Sequence, residues 1–188
     1  MLWQVTTAPA VEPVSLANMK LHLRVDSTDD NDLITSLIVA SRQWCEDYEG
    51  RSYITQTITA KIDRFSDEII IPRPKLQSVT AIKYIDTSGD EQTLDSGIYD
   101  VDIYREPGRI TRGYNQNWAN YRGDVNGIEI IYIAGYGDAS TDVPDRTIAA
   151  IKLLCGHLFE HRESTSELSL KEIPMGVTSL LNSKMRTV

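Results

Sequence analysis

The chain has 188 residues, of which 41% are hydrophobic and 24% charged, a composition typical of one soluble globular domain with its own core. Its 27 acidic and 19 basic residues give a formal net charge of −8, which does not favour a protein that grips phosphate backbones. The sequence contains no run of eighteen apolar residues, so it predicts no membrane-spanning helix and no membrane partner.

Helical periodicity dominates the first fifty residues. Ser15 has the position of an N-cap for a short helix that begins at Leu16. A longer helix is predicted over residues 33–48, because apolar side chains recur there at steps of three and four. Gly50 follows the last periodic residue, where a left-handed C-cap would place it.

A β pattern begins after Ser52 and continues to residue 134. The segments with β-branched or alternating residues are 53–63, 68–72, 79–86, 91–94, 98–104 and 128–134. Residues 87–90 form a hairpin-like turn, and Pro74 places the strand before it at an edge or a corner. Residues 109–127 have the composition of a long exposed loop.

A strongly apolar helix is predicted from residue 145 to residue 163, after a loop that contains glycines and Pro144. The predicted fold class is therefore α+β: a small bundle of two N-terminal helices and a long C-terminal helix, with a β-rich middle region inserted. The last amphipathic segment, with Val177, Leu180 and Leu181, is too short to stand alone and must dock on another surface.

The end of this helix contains a spacing found in some zinc enzymes. His157, Glu160 and His161 match H-x-x-E-H, in which two histidines on one helix face bind zinc and the glutamate activates water. A zinc-dependent hydrolase is therefore the alternative hypothesis. No third ligand stands in a recognisable motif, and a histidine-rich helix end is also expected where positive charge favours the helix dipole. We therefore favour the structural interpretation.

Other catalytic signatures are missing from the sequence, which has no G-x-S-x-G, P-loop or G-x-G-x-x-G motif. Cys45 and Cys155 are too few for a disulfide framework, and neither has a nearby basic residue that would mark an activated nucleophile. The sequence motifs therefore predict no catalytic nucleophile and no cofactor.

The predicted loop alternates cations with aromatic side chains, as interfaces often do. Its candidates for contact are Arg109, Arg112, Tyr114, Trp118, Tyr121 and Arg122. Arginine and aromatic residues are typical of both nucleic-acid and protein interfaces. Because the chain is acidic, we favour a protein contact over a nucleic-acid-binding module, and a plain surface loop is a close alternative.

Six parts of the sequence, in this order, follow one family pattern: residues 13–26, ending in L-R-V-D; 30–57, with the G-R-x-x-x-x-Q-T turn; 71–86; 133–137; Pro144; and 158–163. Together they resemble the head–tail connector (adaptor, head-completion) family of long-tailed double-stranded DNA phages. The resemblance covers nearly the whole chain. His161 stands where the family usually has asparagine, so the zinc-like spacing arises from one departure from the family pattern.

The resemblance implies a structural virion protein without catalytic residues. It implies a single connector domain over residues 1–188, with helical parts at 13–50 and 144–188 and a β-rich middle at 52–134. Such subunits form a ring of about twelve copies under the portal protein, next to a tail-side completion or stopper protein. DNA passes through the lumen without sequence-specific binding, and assembly takes place in the cytoplasm of the host bacterium. Phage and prophage origins both remain open.

A hypothesis about assembly follows from the terminal amphipathic segment. Deleting residues 174–188 is expected to leave the subunit folded and to abolish its assembly onto the head, because such segments often become ordered on binding.

Overall fold

The computed structural model describes residues 1–161 and 175–182, and it confirms the predicted α+β class. The helices are α1 (Leu16–Leu23), α2 (Asn31–Glu49), α3 (Asp145–Glu160) and α4 (Met175–Leu181). The strands are β1 (Leu2–Thr7), β2 (Gln56–Ile62), β3 (Glu68–Ile70), β4 (Leu76–Ile85), β5 (Glu91–Thr93), β6 (Tyr99–Asp102), β7 (Arg109–Arg112) and β8 (Ile128–Ala134).

The chain divides into two compact units. The sheet unit comprises Met1–Ala10 and Gly50–Tyr136 and contains the described strands. The helical unit comprises Val11–Glu49 and Gly137–Val188 and contains the described helices. None of these helices is long and apolar enough to span a membrane. A single connector domain over residues 1–188 stays a prediction.

Strand β8 is the centre of the sheet unit. The five-stranded antiparallel sheet has the order β1-β2-β8-β4-β5, so β8 pairs with β2 on one side and with β4 on the other. Its side chains alternate between buried and half-buried, as the period of two in a strand requires. The other strands form a three-stranded sheet in the order β3-β7-β6, so β3 lies at an edge, as Pro74 predicted.

One apolar cluster draws side chains from both sheets of this unit. Its fully or nearly fully buried members include Ile58, Ile69, Ile71, Ile82, Ile110, Ile128, Ile130 and Tyr132. Burying a polar atom in such a cluster requires a hydrogen-bond partner. The Tyr132 hydroxyl meets this requirement by donating to the carbonyl oxygen of Pro72 at 2.9 Å.

The helical unit is built around the amphipathic helices α2 and α3. Ser15 caps α1 as predicted, because its hydroxyl oxygen accepts a hydrogen bond from the Asn18 N–H at 3.3 Å. The buried side chains of α2 and α3 include Ile34, Ile38, Cys45, Ala150, Ile151, Leu154 and Cys155. Helix α4 packs on α3 and adds Val177 and Leu181 to the buried set.

Three features differ from the sequence-based expectations. Strand β1 was not predicted. Residues 109–127 are not a continuous exposed loop, because the first four form β7, the middle strand of its sheet, in which Ile110 is fully buried. Helix α3 ends at Glu160, three residues earlier than expected. Strand β7 has only one apolar residue, Ile110, so its sequence shows no alternating pattern from which a strand could be predicted. Its pairing with β3 on one side and β6 on the other stabilises it.

Candidate interaction surfaces

The arginines of the predicted contact segment are held by acidic side chains of the same unit. The pairs are Arg109 with Glu68 and Asp102 (2.9 and 3.0 Å), Arg112 with Asp67 (2.7 Å), and Arg122 with Asp124 (3.1 Å). Arg105 also reaches Glu68, at 2.8 Å, so Glu68 joins two guanidinium groups. A cation neutralised within its own chain attracts phosphate weakly, and this arrangement therefore does not favour a nucleic-acid interface.

These ion pairs should make the three-stranded sheet sensitive to acid. Hydrogen bonds from Arg109 hold the pKa of Glu68 below its usual range. At Asp102 the loss of hydration acts in the opposite direction, but hydrogen bonds from Arg109 and from backbone N–H groups outweigh it and lower the pKa. A carboxylate with a lowered folded-state pKa contributes stability above its unfolded pKa of about 4, and this stability is lost as the pH falls through the folded pKa.

We expect Arg109→Gln to lower the midpoint of urea unfolding at pH 7. The difference in midpoint between the wild type and the variant should decrease as the pH falls below about 4, because the carboxylate partners become protonated. Urea titrations of the wild type and the variant at pH 7, 4 and 3, followed by circular dichroism, test this expectation. An effect of the same size at all three pH values would show that Arg109 acts through packing and not through its carboxylate partners.

The aromatic residues of the segment divide into packed and exposed side chains. Trp118 stacks on Phe65 with ring centroids 4.7 Å apart, and its indole N–H donates to the Ser66 carbonyl oxygen at 3.1 Å. Tyr121 meets the same Phe65 ring edge-on at 5.2 Å. Tyr114 is 91% exposed. Trp118 and Tyr121 therefore pack against the apolar cluster, whereas the Tyr114 side chain is exposed and can contact a partner.

The terminal amphipathic segment is seated on its own helical unit. Val177 and Leu181 are buried, Leu180 is half-buried, and Tyr48 O–H donates to the Asn182 side-chain oxygen at 3.1 Å. Their contact with a partner stays a prediction. The hypothesis that the chain folds normally without residues 174–188 needs correction, because the truncation would also remove buried side chains. Of residues 174–188, positions 174 and 183–188 lie outside the described ranges.

The zinc hypothesis gains no support from the structure. The rings of His157 and His161 are 4.6 Å apart between centroids, and Nδ1 of His161 lies 3.0 Å from the backbone carbonyl oxygen of His157. Within residues 1–161 and 175–182, no three histidine, cysteine or acidic side chains are grouped so that they could hold a metal ion.

Two stretches of the family resemblance meet within the sheet unit. Arg51, in the G-R-x-x-x-x-Q-T stretch, is buried and donates to the hydroxyl oxygen of Tyr136 at 2.7 Å and to Glu106 at 2.9 Å. Tyr136, from the A-G-Y-G stretch, donates its backbone N–H to the carbonyl oxygen of Tyr53 at 2.9 Å. Arg51 therefore fastens the end of β8 to the turn between β6 and β7, which is a structural role.

Both cysteines are free and buried in the helical unit. Burial raises the pKa of Cys45 to about 12, with Glu49 and Glu46 acting in the same direction. Burial also raises the pKa of Cys155 to about 11. A thiol attacks disulfides as its thiolate, so both side chains should be inert in the folded chain.

We expect a disulfide reagent such as DTNB at pH 8 to leave both thiols of the folded protein unmodified over minutes and to modify both in 6 M guanidinium chloride, where burial is lost. The absorbance of the released thiolate measures this. Fast modification of the folded protein by one equivalent would contradict the burial of that cysteine.

Strand β1 is a candidate surface that was not recognised from the sequence. All six of its residues are exposed, and three of them, Leu2, Trp3 and Val5, are apolar. The signal was present, since Trp, Val and Thr are enriched in strands, but the segment is short and its partner β2 lies about fifty residues away along the chain.

The fold resembles chains of solved gene transfer agent (GTA) particles. One chain, from the virion of a native GTA particle, has a TM-score of 0.78 and 21% identity. Chains from the neck of an empty GTA particle, computed with C6 symmetry, and of a native one, computed with C12 symmetry, have TM-scores of 0.79 and 0.76 at 23% and 22% identity. Each alignment covers 100% of this chain and 96% of the other. No curated protein matches the chain.

A family model gives the more specific result. Residues 13–96 match the phage gp6-like head-tail connector protein family, and this range contains three of the stretches that carry the resemblance: 13–26, 30–57 and 71–86. This match confirms the resemblance that was predicted from these motifs.

Proposed function

We propose that the chain is a structural virion protein, a connector subunit that joins the head of a phage-like particle to its tail. The family match over residues 13–96 carries the proposal, because the matching family consists of head-tail connector proteins and not of enzymes. The likeness in fold to chains from particle necks, over the full length of the chain, supports it.

The subunits assemble as a closed ring of about twelve copies, and DNA passes through the lumen without sequence-specific binding. The C6 and C12 symmetries of the two neck structures support a ring. The net charge of −8 and the internally paired arginines Arg109, Arg112 and Arg122 suit a wall that DNA slides past better than a surface that holds it.

The ring has two further partners, the portal protein on the head side and a completion or stopper protein on the tail side. The helical parts (13–50 and 144–188) and the β-rich middle (52–134) act together as one connector domain. Among the predicted contact candidates Tyr114 is the most exposed, at 91%, and Arg112 and Arg122 are exposed as well. Assembly in the bacterial cytoplasm precedes incorporation into the virion.

Particle mass and shape test the proposal. Light scattering and negative-stain microscopy of the purified chain, alone and mixed with a portal protein, should reveal closed rings with a central hole. A chain that stays monomeric alone and does not bind the portal protein would refute a connector role. Zinc in stoichiometric amounts, measured by atomic emission on the same sample, would instead revive the hydrolase hypothesis.

A further inference from the structure

Strand β1 has the features of a strand edge that is covered in an assembly. It is the outer strand of the five-stranded sheet, and within the described residues only β2 pairs with it. Leu2 is 68% exposed and Val5 is 39% exposed. Edge strands are normally protected by charges, prolines or a covering segment. Residues 1–8 contain no charged residue and no proline, so β1 lacks the first two kinds of protection.

The regular part of the edge spans Leu2 to Val5. These four residues pair in sequence with residues 61 to 58 of β2, and the register shifts only between Val5 and Thr7. An incoming strand would therefore find four consecutive residues in extended conformation, whose outward backbone groups can form main-chain hydrogen bonds.

An apolar groove adjoins this edge within the sheet unit. Its volume is about 490 Å³, and its walls include Met1, Trp3, Ile70, Pro72 and Pro107. Because side chains alternate along a strand, Val5 lies on the same face of β1 as Met1 and Trp3. Side chains from a strand added to β1 would thus enter a groove lined mainly by apolar and proline side chains.

Trp3 is held in place before any partner arrives. The Arg73 guanidinium lies 4.7 Å from the centroid of its indole ring, and Arg73 itself is only 6% exposed. Trp3 nevertheless remains 41% exposed. A fixed and partly exposed tryptophan loses little conformational entropy on binding, which is why such residues are frequent at the centre of interfaces.

We propose that the Leu2–Val5 edge and its groove form one side of the subunit contact in the ring, and that a neighbouring copy of this chain docks there by adding an extended segment to β1. The inference rests on the proposed connector function. Contacts around a closed ring are heterologous, so each copy needs one surface that receives a different surface of the next copy. The β1 edge is the receiving surface.

Charge favours a second copy as the occupant. Copies with a net charge of −8 repel one another, so they are expected to meet where acidic side chains are absent. Residues 1–11 contain no charged side chain, and the charged residue among those that line the groove is the cation Arg73. The surface therefore adds no like charge against an acidic neighbour.

A double variant tests the surface. Leu2→Lys/Val5→Lys places charges on both faces of the edge, the device by which natural edge strands avoid pairing. We expect it to raise the protein concentration needed for half-maximal ring assembly at least about tenfold. The urea midpoint should stay at the wild-type value, since both side chains are exposed. Leu21→Lys, at an apolar position on α1 that is 77% exposed, is the matched control and should assemble as the wild type does.

Photo-crosslinking identifies the occupant directly. With p-benzoylphenylalanine in place of Leu2, irradiation of the assembled complex should yield a crosslink between two copies of this chain, located by mass spectrometry. A crosslink only to another virion protein would overturn the assignment of a second copy, as would normal ring assembly by the double variant. If the wild type forms no ring even with the portal protein, this result refutes the proposed connector function, and the proposed contact at β1 is refuted as a consequence.

Discussion

Replacing Arg42 with methionine should destabilise the helical unit by about 3–5 kcal/mol, the largest effect expected for a charged residue in the described part of the chain. Its guanidinium donates to Glu12 through Nε at 2.8 Å and NH2 at 3.3 Å, and to Glu46 through NH1 at 2.7 Å. Arg42 and Glu46 are buried, and Glu12 is largely covered. Without Arg42, two carboxylates remain close together with little water and lose their hydrogen bonds to the guanidinium, and this loss dominates the cost.

Urea unfolding followed by far-UV circular dichroism measures the loss, and two variants interpret it. Lys83→Met removes an exposed ion pair with Glu91 and should leave the midpoint within experimental error. The double variant Arg42→Met/Glu46→Met also removes one of the two carboxylates that bind Arg42, so it should recover part of the stability lost in Arg42→Met. If Arg42→Met costs less than about 1 kcal/mol, water reaches the site and the ion pairs behave like those on a surface.

The helices were the most predictable part of the fold, because their signals are local. The predicted helix at residues 33–48 corresponds to α2, Asn31–Glu49, and Gly50 has the positive φ of +64° expected after a helix. Strands β1 and β7 escaped prediction for the opposite reason. Each is short, and its conformation depends on pairing with residues far away in the sequence, β2 for the first and β3 for the second.

The contact residues show a second limit of sequence patterns. Alternating arginine and aromatic residues predicted an interface, yet Arg109 and Arg112 bind acids more than forty positions away, at Glu68 and Asp67. The Trp118 ring likewise stacks on Phe65 of the same chain. Composition identified side chains capable of binding but could not reveal that their partners were already supplied by the same chain.

Substituting alanine for Gly135 should cost roughly 3–5 kcal/mol, because two separate penalties coincide at this residue. Its φ of +144° lies in a region that residues with a Cβ atom rarely adopt. A Cβ built there would lie 2.6 Å from the backbone carbon of Ile54 and 2.6 Å from the backbone nitrogen of Thr55. Backbone atoms cannot move aside as the end of a flexible side chain can.

The surroundings of Gly135 leave little room for relaxation. Its N–H donates to the carbonyl oxygen of Lys75 at 2.9 Å, and its own carbonyl oxygen accepts from Gln77 Nε2 at 3.1 Å. Moving the residue away from Ile54 and Thr55 would strain or break these bonds, which hold the end of β8. The clash is therefore expected to appear as lost stability of the sheet unit.

Gly123→Ala separates the two penalties. Gly123 belongs to the same unit and has a φ of +83°, but a Cβ there would have no atom within 4 Å, so only the backbone cost of about 1–2 kcal/mol applies. The difference between the two variants in urea unfolding measures the steric part. Equal losses would mean that the backbone near Ile54 yields to a methyl group, and Gly135 would then be needed only for its φ angle.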